Sequence, residues 1–346
     1  MKFALGYQLA EREAGSFLDL LRDYRPHIAE VYFPWVGAIS GRATLGSQRG
    51  AVDWTAQARL EDDLRAMRAM GIKLDLLFNA NCYGEHAVSQ RLENEVGSLL
   101  EHLNEIVGGV DIVTTTSLTV ARAVKCHFPK VEVRASVNMR IGTIEAMRFV
   151  TDLFDSYYLQ RDFQRDIAYM KTVKTWCDAH GKGLCLLANS GCLRCCPGQI
   201  FHDNLVAHDS EIDEMKNIPD WTPHVCWQLY RHRANWPAIL QATWIRPEDV
   251  HHFEGLAHVM KLATRMHSHP RMVLEAYTTS RWEGNLLDLF EPCFSPAFAP
   301  WVVDNTRFPT DWFDQTSTCN RRCHTCDYCS QTLDGALVNM GGNNDE

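Results

Sequence analysis

Gly183-Leu184-Cys185-Leu186-Leu187-Ala188 is an apolar run that stops at Asn189 and opens into Ser190-Gly191-Cys192-Leu193-Arg194-Cys195-Cys196-Pro197-Gly198-Gln199-Ile200-Phe201-His202. A short continuous apolar run bounded by a Gly/Cys/Pro loop reads as a strand buried on both faces, as in a parallel sheet. The loop leaving such a strand lies at its carboxyl end, where α/β folds hold their chemistry. Cys192, Cys195 and Cys196 crowd this loop, and Pro197 fixes the chain just after them, so Cys192 and Cys196 can converge on one centre. The plainer alternative is a pair of small buried apolar side chains, since free cysteine is among the most buried residue types.

Working outward, short apolar runs alternate with longer helical patterns. Phe3–Tyr7, Glu30–Phe33, Lys73–Phe78, Val110–Thr115, Val131–Ser136, Ser156–Gln160 and Gly183–Ala188 read as strands. Helical spacing fills Ser16–Tyr24, Ala56–Met70, Gln90–Val107, Thr119–His127, Ile144–Phe154 and Arg165–His180. The eighth strand is best placed at Val259–Thr264, with Ala242–Ile245 as its rival. Strand–helix alternation of this kind implies parallel strands joined by right-handed crossovers. Eight such units predict an α/β fold, a TIM-like (β/α)8 barrel with a Cys-rich C-terminal extension. No Gly-x-Gly-x-x-Gly turn follows the first strand, which weakens the dinucleotide-binding alternative. The expected division is a barrel over residues 1–285, with a loop-rich insertion near 209–240 covering its mouth, an irregular extension over 286–340 and a disordered tail at 341–346.

The chain has 346 residues, of which 46% are hydrophobic, enough for a large core. A net charge of −9 argues against a generally basic face for nucleic acid. No apolar run is long enough to span a membrane and no charged-then-apolar leader opens the chain, so a cytoplasmic protein is expected. Thirteen cysteines, an odd number, then favour reduced thiols and metal ligands over a disulfide framework. The motifs of zinc proteases, serine hydrolases and P-loop proteins are absent.

Near the C-terminus, Cys319-x3-Cys323-x2-Cys326-x2-Cys329 packs further thiols into one short segment. Zinc would take four such thiolates tetrahedrally, whereas an iron–sulfur cluster takes them at the corners of a cuboid. Iron–sulfur is preferred, because the paired hairpins of a zinc ribbon are not evident around the segment. Part of the spacing matches that of radical S-adenosylmethionine enzymes, but it follows the barrel instead of leaving its first strand, and is read as coincidence. Cys192, Cys196 and Cys226 form the best internal set, with Cys195 as substitute and His202 or His208 available for a fourth position. Cys82, Cys126, Cys177, Cys185 and Cys293 are read as core or surface thiols, and the His251-His252 and His267-x-His269 pairs as solvated. Among polar residues just past the strands, Asn138, Arg161 and Asn189 carry most weight as substrate contacts.

Several stretches in order resemble the collagenase-like peptidase family U32. They are Ile28-Ala29-Glu30-Val31-Tyr32-Phe33, Gly71-Ile72-Lys73-Leu74-Asp75-Leu76-Leu77-Phe78-Asn79, Val133-Arg134-Ala135-Ser136-Val137-Asn138-Met139, the Asn189–Cys196 loop and Lys261-Leu262-Ala263-Thr264-Arg265. The resemblance implies a four-iron four-sulfur protein supporting oxygen-independent hydroxylation of quinone precursors or RNA bases, and relatives that sometimes work as heterodimers. By position Cys192 matches the first cluster cysteine, Cys196 falls close to the second and Cys226 is a later one. The gap between the first two is shorter than the family's, and Cys319–Cys329 lies outside the shared pattern. The resulting expectation is an iron–sulfur redox enzyme, a hydroxylase of a small organic molecule, with one or two clusters. Asn138, Arg161, Asn189, Lys261 and Arg265 would orient substrate, the cations suiting a carboxylate or phosphate. Alternatives are an accessory subunit stabilised by zinc in the C-terminal set, and a U32-type peptidase or RNA-base hydroxylation factor.

Overall fold

The computed structural model describes residues 1–9, 15–42, 44–46, 52–209, 212, 218–219 and 221–341. Eight parallel strands close into a barrel in sequence order: β1 (Phe3–Gly6), β2 (Ile28–Phe33), β3 (Lys73–Phe78), β4 (Ile112–Thr115), β5 (Glu132–Ala135), β6 (Ser156–Tyr158), β7 (Gly183–Leu187) and β8 (Val259–Leu262). Closure comes from β1 pairing with β8, Phe3 opposite Met260 and Leu5 opposite Leu262. The chain therefore forms the expected TIM-like barrel, and the eighth strand is Val259–Leu262, not Ala242–Ile245.

The crossover helices form where the sequence sets their ends and their buried face. In α3 (Gln90–Val107), the side chain of Ser89 accepts from the Leu92 N–H and Gly108 turns left-handed at φ 72° to end the helix. Leu92, Val96, Leu100, Leu103 and Val107 form its buried stripe, returning every three or four residues. Ser16, Asp53, Ser117, Thr143 and Asp166 cap α1 (Phe17–Asp23), α2 (Trp54–Ala69), α4 (Leu118–His127), α5 (Ile144–Phe149) and α6 (Ile167–Ala179) in the same manner.

Along β3, Leu74, Leu76 and Phe78 join the layer shared with the helices, while Leu77 joins a smaller cluster with Tyr32, Tyr158, Cys185 and Val259. The period of two expected for a strand separates these layers. The smaller cluster accompanies a buried ionic network. Arg134 pairs with both Glu30 oxygens, reaches Glu132 at 2.9 Å and Ser156 at 3.0 Å, and Thr114 donates to Asp75 at 2.9 Å. Lys261 Nζ lies 3.6 Å from the Tyr32 ring centroid.

Residues 286–340 contain more structure than the irregular chain expected there. Helices span Ser295–Phe298, Trp312–Ser317 and Tyr328–Ala336, and β9 (Trp301–Val303) pairs antiparallel with β10 (Leu337–Asn339). The cause is aromatic burial: Trp312 stacks on Trp244 at 5.6 Å and Trp244 on Phe290 at 5.1 Å, docking the segment against the barrel. Periodicity could not reveal this, because each element is too short to show a pattern. Residues 342–346 of the tail expected at 341–346, and residues 210–211, 213–217 and 220 of the insertion, lie outside the described residues. Among the described residues no helix is long and apolar enough to cross a membrane.

Candidate active site

The Asn189–Gln199 loop leaves β7 at the mouth of the barrel and forms one wall of a cavity of about 1480 Å³. The position of this loop depends on close backbone contact. Gly191 N–H donates to the Glu291 carbonyl at 3.1 Å, and a Cβ on Gly191 would stand 2.6 Å from the Pro292 carbonyl oxygen, so no larger residue fits. Cys195 is held in the left-handed region at φ 50°, and its N–H donates to Asp162 Oδ1 at 2.5 Å, which separates it from its neighbours.

Four cysteines from three stretches of chain line this cavity: Cys192 and Cys196 from the loop, Cys226 from the insertion and Cys293 from the extension. His224 and Trp227 join Cys226 there, so the insertion does reach the mouth. Cys293, expected to be an ordinary core or surface thiol, is brought to the cavity by docking of the extension, and the neighbouring Glu291, not singled out from the sequence, lines it too. His267 also corrects its reading, being buried, with Nε2 2.8 Å from the Asp288 carbonyl and Nδ1 accepting from the His269 N–H.

Two guanidinium groups set the charge at this wall. Arg42 pairs with Glu291 at 2.8 Å, and Arg161 donates to Ser190 Oγ at 2.7 Å. Burial pushes the Cys192 thiol up, but Arg161 and Arg42 outweigh it and hold the thiol below its ordinary value. Cys226 has no such relief, and burial raises it to about 11. Burial, reinforced by Arg42, His224 and Arg161, lowers His202 to about 4, so its imidazole is neutral at physiological pH. Asp203 is raised by burial against the pull of the same two arginines.

Of the other residues expected to meet substrate, Asn138 and Arg161 line the cavity, whereas Asn189, Lys261 and Arg265 do not contribute to its lining. Asn189 instead accepts from the Ala263 N–H at 2.6 Å and donates to the Leu289 carbonyl at 2.9 Å, tying β8's end to the extension. Lys261 belongs to the barrel's buried ionic network, where burial lowers it. Arg265 donates to Ser40 Oγ at 3.1 Å. Gln8, Gln199, Trp227 and Phe290 complete the cavity's mixed polar and apolar wall. None of Cys319, Cys323, Cys326 and Cys329 lies on it.

Whether these thiols suit a metal depends on what each kind of centre demands. One ion needs several sulfurs at about 2.3 Å from a single point, and among the described residues no three Cys, His, Asp or Glu side chains converge in that way. A cuboidal iron–sulfur cluster makes a different demand, since each thiolate ligates its own corner. Among the described residues the cavity's cysteines form no single-ion site, and thiolate is the donor that a cluster takes at its corners.

The comparisons agree with this architecture. The uncharacterized protease MJ1657 of Methanocaldococcus jannaschii is 25% identical over 275 residues, covering 77% of this chain and 77% of that protein. The solved U32 peptidase Mk0906 superposes with a TM-score of 0.52 at 14% identity, over 75% of this chain and 92% of its own. The chain is similar to the U32 peptidases. No protein-family model matches it. A family 5 mannosidase from Rhizomucor miehei overlaps with a TM-score of 0.42 at 8% identity, over 75% of this chain and 79% of its own. The U32 likeness thus spans about three quarters of this chain, with a protease-named relative in sequence and a U32 peptidase in structure.

Proposed function

We propose that the cavity is the active site of an iron–sulfur enzyme, with Cys192, Cys196, Cys226 and Cys293 as the residues that would hold the cluster. One observation carries this reading: separate stretches of chain bring those cysteines to one cavity, which Arg42 and Arg161 also line. A bound cluster would supply one-electron chemistry at the mouth of the barrel. The protein's own contribution is charge and enclosure. Arg161 and Arg42 stabilise thiolate at Cys192 and would draw in an anionic substrate, a carboxylate or phosphate. Asn138, Gln8 and Gln199 offer hydrogen bonds to orient it, and Trp227 and Phe290 an apolar face against which an organic body can lie. Oxygen-independent hydroxylation of such a small molecule is the most specific form of the proposal, and a related subunit could complete the assembly.

The similarity to U32 peptidases and to a protease-named relative favours a second reading, a thiol peptidase using Cys192, whose lowered pKa suits a nucleophile. Such an enzyme needs a base within hydrogen-bond reach of the sulfur. The partners of Cys192 among the described residues are Ser190 and Arg161, not a histidine. For this reason the cluster reading is preferred. The test compares anaerobically isolated full-length protein with its Cys192→Ser and Cys293→Ser variants. A broad visible absorbance, bleached by dithionite and diminished in both variants together with about four irons per chain, supports the cluster. Colourless, metal-free protein that cleaves denatured collagen, and loses that activity in Cys192→Ser alone, establishes the peptidase instead.

A further inference from the structure

The C-terminal thiols lie away from the cavity, beside a buried cation whose hydrogen bonding is incomplete. Arg165, on the chain between β6 and α6, is only 7% exposed. Its Nε donates to the Trp244 carbonyl at 2.8 Å and its Nη1 to the Leu240 carbonyl at 2.9 Å. Its Nη2 is buried and has no hydrogen-bond partner among the described residues. The guanidinium lies over the Trp244 ring at 4.3 Å and the Trp312 ring at 5.5 Å, so no carboxylate contacts it from those faces. Burial, and then Arg194, lower Arg165 to about 9, while Cys329, Asp249 and Cys319 act the other way. Asp249 offsets this only in part, because its own burial raises it to about 6, and a buried guanidinium with an unpaired N–H remains costly.

The segment carrying the thiols is folded towards that cation. Arg321 adopts φ 62°, its N–H donates to Cys319 Sγ at 3.2 Å, and its side chain pairs with Asp166 at 2.9 Å, fixing the loop beside the start of α6. Cys329 sits in the first turn of the helix Tyr328–Ala336, whose Leu333 and Ala336 are buried. Tyr328, next to Cys329, stacks at 6.1 Å on Trp312, a ring that Arg165 faces, and the four cysteines lie within a span of eleven residues. They do not converge on a point as zinc would require.

We propose that Cys319, Cys323, Cys326 and Cys329 hold a second iron–sulfur cluster, separate from the cavity, and that Arg165 is its buried counter-cation. Four thiolates on a cuboidal cluster leave a net negative charge, which supplies what the Arg165 guanidinium lacks. The unpartnered Nη2 is then a donor available to a cluster or cysteine sulfur, an interaction that tunes the potential of such centres.

The test uses full-length protein, isolated anaerobically and reconstituted with iron and sulfide, with circular dichroism confirming that each variant is folded. In Cys323→Ser/Cys326→Ser, iron and acid-labile sulfide should fall by about four atoms each per chain, whatever Cys192→Ser does. Should the cavity hold no cluster, this variant takes the wild-type content to none, whereas a failed second site leaves it unchanged. Arg165→Met should keep the iron but move one reduction potential to a more negative value, because it removes a positive charge that favours the reduced form. Arg165→Lys, retaining the charge, should move it less. Iron content unaffected by the cysteine changes, or stoichiometric zinc bound through these cysteines, would overturn the site. A potential unmoved by Arg165→Met would overturn the role given to the arginine.

Discussion

Arg134 is a buried residue whose neighbours decide whether its presence stabilises the barrel or disrupts it. Its guanidinium is enclosed with both oxygens of Glu30 and one of Glu132, a bidentate arrangement that offsets the loss of solvent. Removing one partner leaves a buried cation undercompensated, so Glu30→Ala should cost about 3–5 kcal/mol in urea unfolding. Isosteric Glu30→Gln should cost less, since it retains one acceptor oxygen for Arg134 and the packing volume. Asn189 is the second residue with a structural consequence. By bridging Ala263 and Leu289 it carries the same loop that presents Cys192. Asn189→Ala strands buried backbone groups and should lower stability by about 1–3 kcal/mol. If Asn189 contacted substrate instead, the substitution would impair activity with no change in unfolding midpoint. The sequence placed Asn189 correctly beside the cysteine loop but could not say which way its amide turned, because that depends on chain a hundred residues away.

At the scale of elements, the strands were legible and the extension was not. The eight barrel strands are short, mostly apolar segments, and the crossover helices α2–α6 each start at a capping side chain such as Ser89 of α3. Local signals therefore sufficed. Removing one should have a local price: Ser89→Ala should cost about 1 kcal/mol in thermal or chemical unfolding through loss of the Leu92 cap. The extension is specified by contacts at long sequence separation, Trp312 on Trp244 and β10 on β9, which leave no periodic trace. Cys293 was missed for the same reason. The cavity wall depends equally on a long-range approach, Gly191 against Pro292. Gly191→Ala should displace Cys293 relative to Cys192 and reduce the cluster content of the barrel while leaving its helical circular dichroism intact.

For the molecule as a whole, buried acids give a pH dependence whose sign can be worked out. Burial raises Asp249 to about 6, against the pull of Arg246 and Arg165, from an ordinary value of 3.8. A carboxyl with a raised folded-state pKa contributes stability that is fully present below pH 3.8 and is lost as pH rises through about 6. Asp249→Asn removes that loss, so it should raise the melting temperature more at pH 7.5 than at pH 4. An equal shift at both pH values would show that Asp249 titrates normally. The two thiol groups belong to this scale as well, since one is assembled by insertion, loop and extension around the mouth and the other by the extension on the flank of the barrel.

The central claim is that cysteines brought together at the mouth of the barrel hold an inorganic cluster. Iron and acid-labile sulfide counted on anaerobically prepared full-length protein, beside Cys192→Ser, test it most directly. The account predicts equimolar iron and sulfide in the parent, with about four of each per chain lost from the variant; equal content in both proteins, or none in either, would contradict it.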